Sequence, residues 1–325
     1  MTGRGYLPII AALAAIAALP LLVQSNSVLN FVVFTLIIAI AAQGWNLLGG
    51  FAGQFSFGHA AFFGTGAYVS AILQTGFGVN AWAATLIAIA AGAGVGWVIG
   101  FLSFRAGLRG SYFALVTLAF AEVLRILANA LGVTGGAAGL LMPLDVGLWN
   151  MQFSSRAAFL WLALAFLAAA LLITRALVNS RFGAYMLAVR ENEDAAMALG
   201  VDALDVKLKA ITLSGAMTAA AGCLYLQYFL FIDAGIGYGV WISVEALLAA
   251  MVGGRGMGAL IGAFTLHGLG ELTKHFANAA PGVDLAIYGV VLVVVVWFAP
   301  GGALGLAGRL WHRAATNKSA GASHA

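Results

Sequence analysis

Residues 157–173 read AAFLWLALAFLAAALLI, a run with no charged or polar side chain. A helix rises about 1.5 Å per residue, so a run of this length crosses most of the roughly 30 Å hydrocarbon core of a bilayer. Arg156 immediately precedes the run and Arg175 closely follows it, so charge is confined to its two ends. The stretch therefore predicts a membrane-spanning α-helix.

The composition of the whole chain agrees with this stretch. Of its 325 residues, 63% are hydrophobic and 8% are charged, whereas a soluble domain carries about 25% charged residues. The apolar runs do not alternate with polar residues, as the strands of a membrane barrel would. The 43 glycines are typical of membrane helices that pack closely. We therefore predict an all-α integral membrane protein.

The apolar runs on either side of residues 157–173 predict about ten membrane segments. The eighth is too short to span alone and is predicted to be part of a broken helix, which membranes tolerate only where protein buries it. We expect the first run to be retained as a span and not removed as a signal peptide. The approximate bounds are 6–23, 29–48, 57–73, 81–104, 112–131, 157–173, 210–231, 243–252, 258–276 and 285–299.

The distribution of Lys and Arg fixes the predicted orientation. If the N-terminus is cytoplasmic and the segments alternate, twelve of the fifteen basic residues fall on the cytoplasmic side, as the positive-inside rule requires. Both termini are then cytoplasmic, with one polytopic domain over residues 1–305 and a polar tail over 306–325. The basic residues sit at span ends and not on one face, so we expect a bilayer and no nucleic acid as partner.

One polar stretch interrupts the apolar pattern: residues 181–209, RFGAYMLAVRENEDAAMALGVDALDVKLK, hold nine of the 26 charged residues. It belongs to a predicted cytoplasmic loop of about 176–209. The pattern predicts two short helices, and in the first of them apolar residues from Met186 to Leu199 alternate with charge. Gly200 is predicted to end that helix, and Asp202 or Asp205 to cap the next. The helix is net acidic, which favours docking on a protein over lying on lipid.

Two groups of polar residues fall within predicted membrane segments. Gln54, Ser56 and His59 lie at the start of the glycine-rich third segment and either line a polar path or pack within the protein. Glu122 and Arg125 are three residues apart on one helix face. Intramembrane charges are costly, so this second group is either an internal ion pair or a functional site.

Other motifs limit the function classes. No G-x-x-x-x-G-K-[ST] sequence occurs, so no Walker-type ATP site is predicted. No His, Cys, Asp or Glu spacing predicts a metal site or a nucleophilic triad, and we expect neither a cofactor nor an enzymatic activity. Gly254, Gly258 and Gly262 are four residues apart, a spacing that predicts close helix–helix packing.

Three strings, taken in order, resemble the permease subunits of branched-chain amino acid ABC importers. They are GQFSFGHAAFFGTGAY at 53–68, LRGSYFALVTLAFAE at 108–122 and SRFGAYMLAVRENEDAAMALGVD at 180–202. The resemblance extends over about residues 46–300 and is greatest to the second of the two related permeases of such importers.

The resemblance implies a transport subunit of a bacterial cytoplasmic membrane. Its expected partners are a second related permease, two ATPase subunits that hold ATP and Mg²⁺, and an extracytoplasmic binding protein. It implies an ATPase-coupling loop at Ala188, Arg190, Glu191, Asn192, Glu193, Ala195, Ala196 and Gly200. The residues expected to approach the translocation path are Gln54, Ser56, His59, Phe62 and Glu122.

Three alternatives stay open. Permeases of the same family that carry urea, short amides or small carboxylates would have similar sequences. An ATP-independent secondary transporter or channel would need a coupling site of its own, for which Glu122, Glu245 and Glu271 are the candidate carboxylates. A membrane-embedded assembly subunit would show no transport defect when path residues are changed.

Overall fold

A computed structural model describes residues 7–23, 25–276 and 289–290, and this part of the chain is helical, as predicted. Two strands of two residues each, β1 (Leu140–Leu141) and β2 (Phe231–Ile232), pair antiparallel. The helices are α1 (Leu7–Leu22), α2 (Asn26–Trp45), α3 (His59–Phe77), α4 (Ala81–Arg105), α5 (Gly110–Ala130), α6 (Arg156–Val178), α7 (Arg181–Glu191), α8 (Glu193–Ala198), α9 (Ala203–Phe229), α10 (Ala234–Gly237), α11 (Val240–Gly253) and α12 (Gly258–Phe276).

Within the described residues, five helical stretches are long and apolar enough to cross a membrane: Asn26–Phe51, Ala81–Arg105, Gly110–Ala130, Arg156–Val178 and Ala234–Gly253. Ten segments and two cytoplasmic termini remain predictions. The predicted tenth segment, apart from residues 289–290, and the tail at 306–325 lie outside the described residues.

The centre of the bundle is formed by α9, which packs against α4, α3 and α2. The crossing of α4 and α9 is close because both helices have glycine there: a Cβ at Gly215 would lie 2.7 Å from the carbonyl oxygen of Gly92. The helices α3 and α9 are long enough to cross a membrane, with 19 and 27 residues. Neither is among the five stretches that are also apolar enough. Their polar and small residues face other helices instead of lipid.

Two helix boundaries differ from prediction in ways that shape the candidate site. The second predicted segment does not end at Leu48, because α2 continues into a π-helical turn, Asn46–Phe51. The seventh begins before residue 210, because Asp202 caps α9 with a hydrogen bond from the backbone N–H of Asp205 to its carboxylate. The stretch between α6 and α9 is therefore 179–202, and the predicted loop end at Lys209 falls inside α9.

The eighth segment, 243–252, was predicted too short to span alone, and this was wrong: it lies in the stretch Ala234–Gly253, which is long enough to cross a membrane. Its helix α11 forms a hairpin with α12. Each of two glycines on α12 meets α11 backbone: a Cβ at Gly262 would overlap the carbonyl oxygen of Ala249, and one at Gly258 would lie 2.5 Å from that of Gly253. Gly254 has φ +88° and lies in the turn between the helices. Of the three predicted packing glycines, two lie at the helix contact and one shapes the turn.

Candidate functional site

The sequence predicted two short helices in the loop between α6 and α9, and the structure divides the first of them into two, α7 and α8. The predicted helix from Met186 to Leu199 is broken at Asn192, whose backbone is extended (φ −158°) and whose side chain caps α8 by accepting from the N–H of Ala195. Asn favours such caps because its side chain competes with the helical backbone for hydrogen bonds. Gly200, at φ +88°, ends α8 as predicted. We call α7 and α8 together the coupling segment.

One face of the coupling segment is open. Among the residues predicted for the coupling loop, those exposed are Ala188, Glu191, Asn192, Ala195 and Gly200. Large apolar side chains accompany them: Leu199 is 86% exposed, and Leu187 and Met197 are close to half exposed. Exposed apolar side chains beside a carboxylate are typical of a protein-docking surface.

The other face packs on the rest of the chain and includes Arg190, Glu193 and Ala196. Arg190 donates a hydrogen bond from Nη1 to the carbonyl oxygen of Gly50, at 2.9 Å, in the π-helical turn. Its side chain also lies against Gly53, where φ is +71° and a Cβ would come within 2.6 Å of the Arg190 Cγ. Arg190 therefore connects the coupling segment to the junction between α2 and α3.

Glu193 makes a second inward connection. Its carboxylate lies 2.5 Å from the Nζ of Lys207 and 3.5 Å from the Nε of Arg109. Lys207 is only 4% exposed, and its ammonium also lies over the ring of Phe104 at 5.4 Å. Because a buried cation needs a counter-charge, Glu193 holds α8 against α9 and the loop after α4.

The predicted path residues at the start of α3 form a buried hydrogen-bonded cluster. The Nε2 of His59 lies 2.9 Å from the hydroxyl of Ser214, which donates to the carbonyl oxygen of Gly44 at 2.8 Å. The indole of Trp45 donates to the carbonyl oxygen of Ser56 at 2.8 Å. This cluster fastens the irregular stretch after the π-helical turn to α2 and α9.

Burial separates the predicted path residues into two kinds. Ser56, His59 and Phe62 are fully buried and Gln54 nearly so. Phe62 packs edge-on against His59, with ring centroids 5.4 Å apart. In this conformation, the four side chains lie inside the chain.

Glu122 lies instead on an open face of α5. It pairs with Arg125, whose Nε donates to its Oε2 at 2.9 Å, as the spacing of three allowed. The two side chains are 41% and 36% exposed. The opposite stripe of α5 packs on the chain through Phe113, Thr117, Ala121 and Ala128.

A further polar contact was not predicted as a group. His267 on α12 lies 3.6 Å from the carboxylate of Glu245 on α11 and 2.9 Å from the hydroxyl of Thr35 on α2. Phe34 stacks on its ring at 5.0 Å. Glu245, one of the carboxylates considered for a coupling site, therefore lies beside His267 within the hairpin. The hydrogen bond between His267 and Thr35 joins the hairpin to α2. Within residues 7–23, 25–276 and 289–290, no cluster of His, Cys, Asp or Glu could hold a metal ion.

Comparison with known proteins agrees with this arrangement. Residues 27–296 match the family model described as the branched-chain amino acid transport system permease component. The chain belongs to this family. No solved structure matches this permease.

Curated relatives of the permease include proteins named LivM and proteins named LivH. It is 28% identical to the high-affinity branched-chain amino acid transport system permease protein LivM of Escherichia coli, over 91% of this chain and 74% of the relative. It is 26% identical to a probable LivM of Methanocaldococcus jannaschii, over 67% of each chain. With LivH of Salmonella typhimurium the identity is 27%, over 82% of this chain and 91% of the relative.

Proposed function

We propose that this permease is the membrane subunit of an ATP-driven importer for branched-chain or other small apolar amino acids, in a bacterial cytoplasmic membrane. The observation that carries the proposal is the family match over residues 27–296. The names of its relatives support the substrate class, and their division into LivM and LivH proteins supports pairing with a second related permease.

The coupling segment is the proposed ATPase contact. Its open face offers apolar side chains and Glu191 to a partner, while Arg190 and Glu193 join its other face to the π-helical turn and to α9. A displacement of the segment would therefore reach the junction of α2 and α3 through the Arg190 hydrogen bond. It would reach α9 and the loop after α4 through the ion pairs of Glu193. ATP and Mg²⁺ would be held by the two ATPase subunits.

The open face of α5 is the proposed boundary of the substrate route. Glu122 lies twelve residues from the first residue of α5, which corresponds to about 18 Å along the helix. An ion pair at that depth is costly against hydrocarbon. We infer that this face turns toward the second permease and a polar route between the two, which receives substrate from an extracytoplasmic binding protein.

The buried cluster of Ser56 and His59 forms the wall behind this route. The backbone N–H of Phe57 donates to the hydroxyl of Thr117 on α5 at 3.2 Å, so the cluster and α5 are directly connected. Gln54, Ser56, His59 and Phe62 would meet the route only when the junction opens.

Transport by the reconstituted complex tests the proposal. The permease is purified with its second permease and ATPases and incorporated into vesicles, with the binding protein supplied outside. We expect ATP-dependent uptake of labelled leucine, reduced by excess isoleucine or valine and not by urea or acetamide. Competition by urea or acetamide alone would assign another substrate class, and uptake driven by an ion gradient without ATP would contradict the importer.

A further inference from the structure

The cytoplasmic end of the bundle contains a cavity of about 390 Å³. Residues of α1, α2, α6 and the α11–α12 turn line it, and its polar groups are Gln43, Thr174, Arg175 and Arg255. Arg175 is in the last turn of α6, so the cavity lies at the level where a helix leaves the hydrocarbon. Two guanidinium groups at that level form an anion-binding environment.

Gln43 gives a second, independent indication of a ligand. Its side chain is completely buried, yet neither its amide nitrogen nor its amide oxygen has a hydrogen-bond partner among the described residues. Buried amides are satisfied in nearly all proteins, and an exception calls for a bound polar group or water. Gln43 lines the same cavity as Arg175 and Arg255, and an amide there can donate to an oxyanion.

An apolar groove follows the cavity along α1. Pro8 and Ile9 line the cavity, and Ala12 and Ile16 line a second cavity of about 420 Å³ between α1 and α12. Positions 9, 12 and 16 share one helix face. The α12 side of this groove is Leu260, Ile261, Phe264 and Thr265. A charged cavity therefore continues into an apolar groove that runs toward the membrane centre.

We propose that these two cavities bind one anionic phospholipid of the inner leaflet. Its phosphate lies between Arg175 and Arg255 and accepts from the amide of Gln43, while an acyl chain fills the groove between α1 and α12. Basic pockets between membrane helices at the cytoplasmic surface suit anionic headgroups. The two volumes, about 390 and 420 Å³, are within the range of small-molecule sites and offer room for a headgroup and part of an acyl chain.

The chain's own terminal segments are poor alternative occupants of the cavity because of their charge. The only charged side chain in residues 1–6 is Arg4, and those in residues 306–325 are Arg309, Arg313 and Lys318. These segments would bring like charge to a cavity that already contains two guanidinium groups. Free phosphate could also pair with the arginines but would leave the apolar groove empty.

Lipid retention in native mass spectrometry tests the site. The full-length permease, with its copurifying subunits, is delipidated and given phosphatidylglycerol or phosphatidylcholine with identical acyl chains. We expect roughly tenfold preference for phosphatidylglycerol. Arg175→Gln combined with Arg255→Gln should reduce retention to the phosphatidylcholine level, and Arg181→Gln, which removes an exposed arginine on the same side, should leave it unchanged.

Two further variants keep the test decisive. If the double variant fails to fold, Arg255→Gln alone, in an exposed turn, should lower the preference. Ala12→Phe, which fills the groove, should weaken lipid retention. It should leave the binding of added inorganic phosphate to the arginines unchanged. Equal retention of the two lipids by the unmodified chain, or displacement of phosphatidylglycerol by excess inorganic phosphate alone, would overturn the proposal.

Discussion

Arg190 and Gly50 are 140 positions apart in the sequence, and the guanidinium of Arg190 donates a 2.9 Å hydrogen bond to the Gly50 carbonyl oxygen. The bond joins the coupling segment to a π-helical turn, a form of helix that is frequent at functional sites. Immediately after that turn, the chain enters the stretch that contains Gln54 and Ser56. The contact is therefore a direct physical link from the proposed ATPase surface to the wall of the proposed route.

Replacing Arg190 by Ala should uncouple ATP hydrolysis from transport. A hydrogen bond from a charged group contributes about 1.5–3 kcal/mol, so we expect uptake per ATP hydrolysed to fall roughly tenfold or more while the complex stays assembled. The measurement is uptake and hydrolysis on the same vesicles. Arg181→Ala, at the exposed start of α7, is the control, and an unchanged ratio in Arg190→Ala would show that the link transmits nothing.

Glu193 and Glu191 should respond differently to the same substitution. Glu193→Ala leaves Lys207 buried without its nearest carboxylate, and breaking such a pair costs about 3–5 kcal/mol, so the melting temperature of the permease should fall. The double variant Glu193→Ala, Lys207→Met should recover most of the lost melting temperature. Glu191→Ala removes an exposed carboxylate and should change stability by less than about 0.5 kcal/mol. Equal melting temperatures for the two single variants would mean that Glu193 is not a structural anchor.

Leu199→Ser should weaken binding of the ATPase without destabilising the permease. The side chain is 86% exposed, so nothing in the described structure loses packing, whereas burial of a leucine at an interface contributes about 1.5–3 kcal/mol. Copurification of the ATPase in a titration should show at least roughly tenfold weaker association. Ala198→Ser adds a hydroxyl nearby without removing apolar area. If Ala198→Ser weakened association with the ATPase as much as Leu199→Ser, the loss would come from the added hydroxyl. The leucine side chain would then not be a docking contact.

Cysteine labelling can establish whether the buried cluster ever meets the route. In a Cys223→Ala background, Phe55→Cys should react with a small thiol reagent in the resting state, because Phe55 is 47% exposed. Ser56→Cys should be protected in that state and react after ATP binds. Protection of Ser56→Cys in both states would assign the cluster to packing alone.

The predicted orientation can be checked with two reporter fusions. A reporter after Asn192 should read as cytoplasmic and one near Asp233 as extracytoplasmic, because α9 lies between them and basic residues concentrate on the first side. A fluorescent protein and an alkaline phosphatase fusion at each position give opposite signals. If both reporters were on the same side of the membrane, the predicted number of segments around α9 would be wrong.

The sequence alone was sufficient for the features that depend on local chemistry. Residues 157–173 have to form a helix because hydrocarbon offers the backbone no hydrogen-bond partner. Gly200 ends α8 because glycine adopts a left-handed backbone without strain. The ion pair of Glu122 and Arg125 follows from their spacing. The three motif strings were enough to indicate the family, which the family match then confirmed.

Tertiary structure decided which way each side chain faces. Arg190 and Glu191 are adjacent in α7, yet Arg190 meets Gly50 and Glu191 faces outward, because neighbouring helix positions point about 100° apart and packing decides which one is covered. Asn192 then breaks the helix at a point the periodicity did not mark. Lys207 was counted as one of the basic residues at a membrane edge and is instead buried beneath Glu193. His267 meets Glu245 and Thr35 only because three separate helices converge there. Such contacts join residues that are distant in sequence, and their formation depends on how helices pack, which local propensity and hydropathy do not specify.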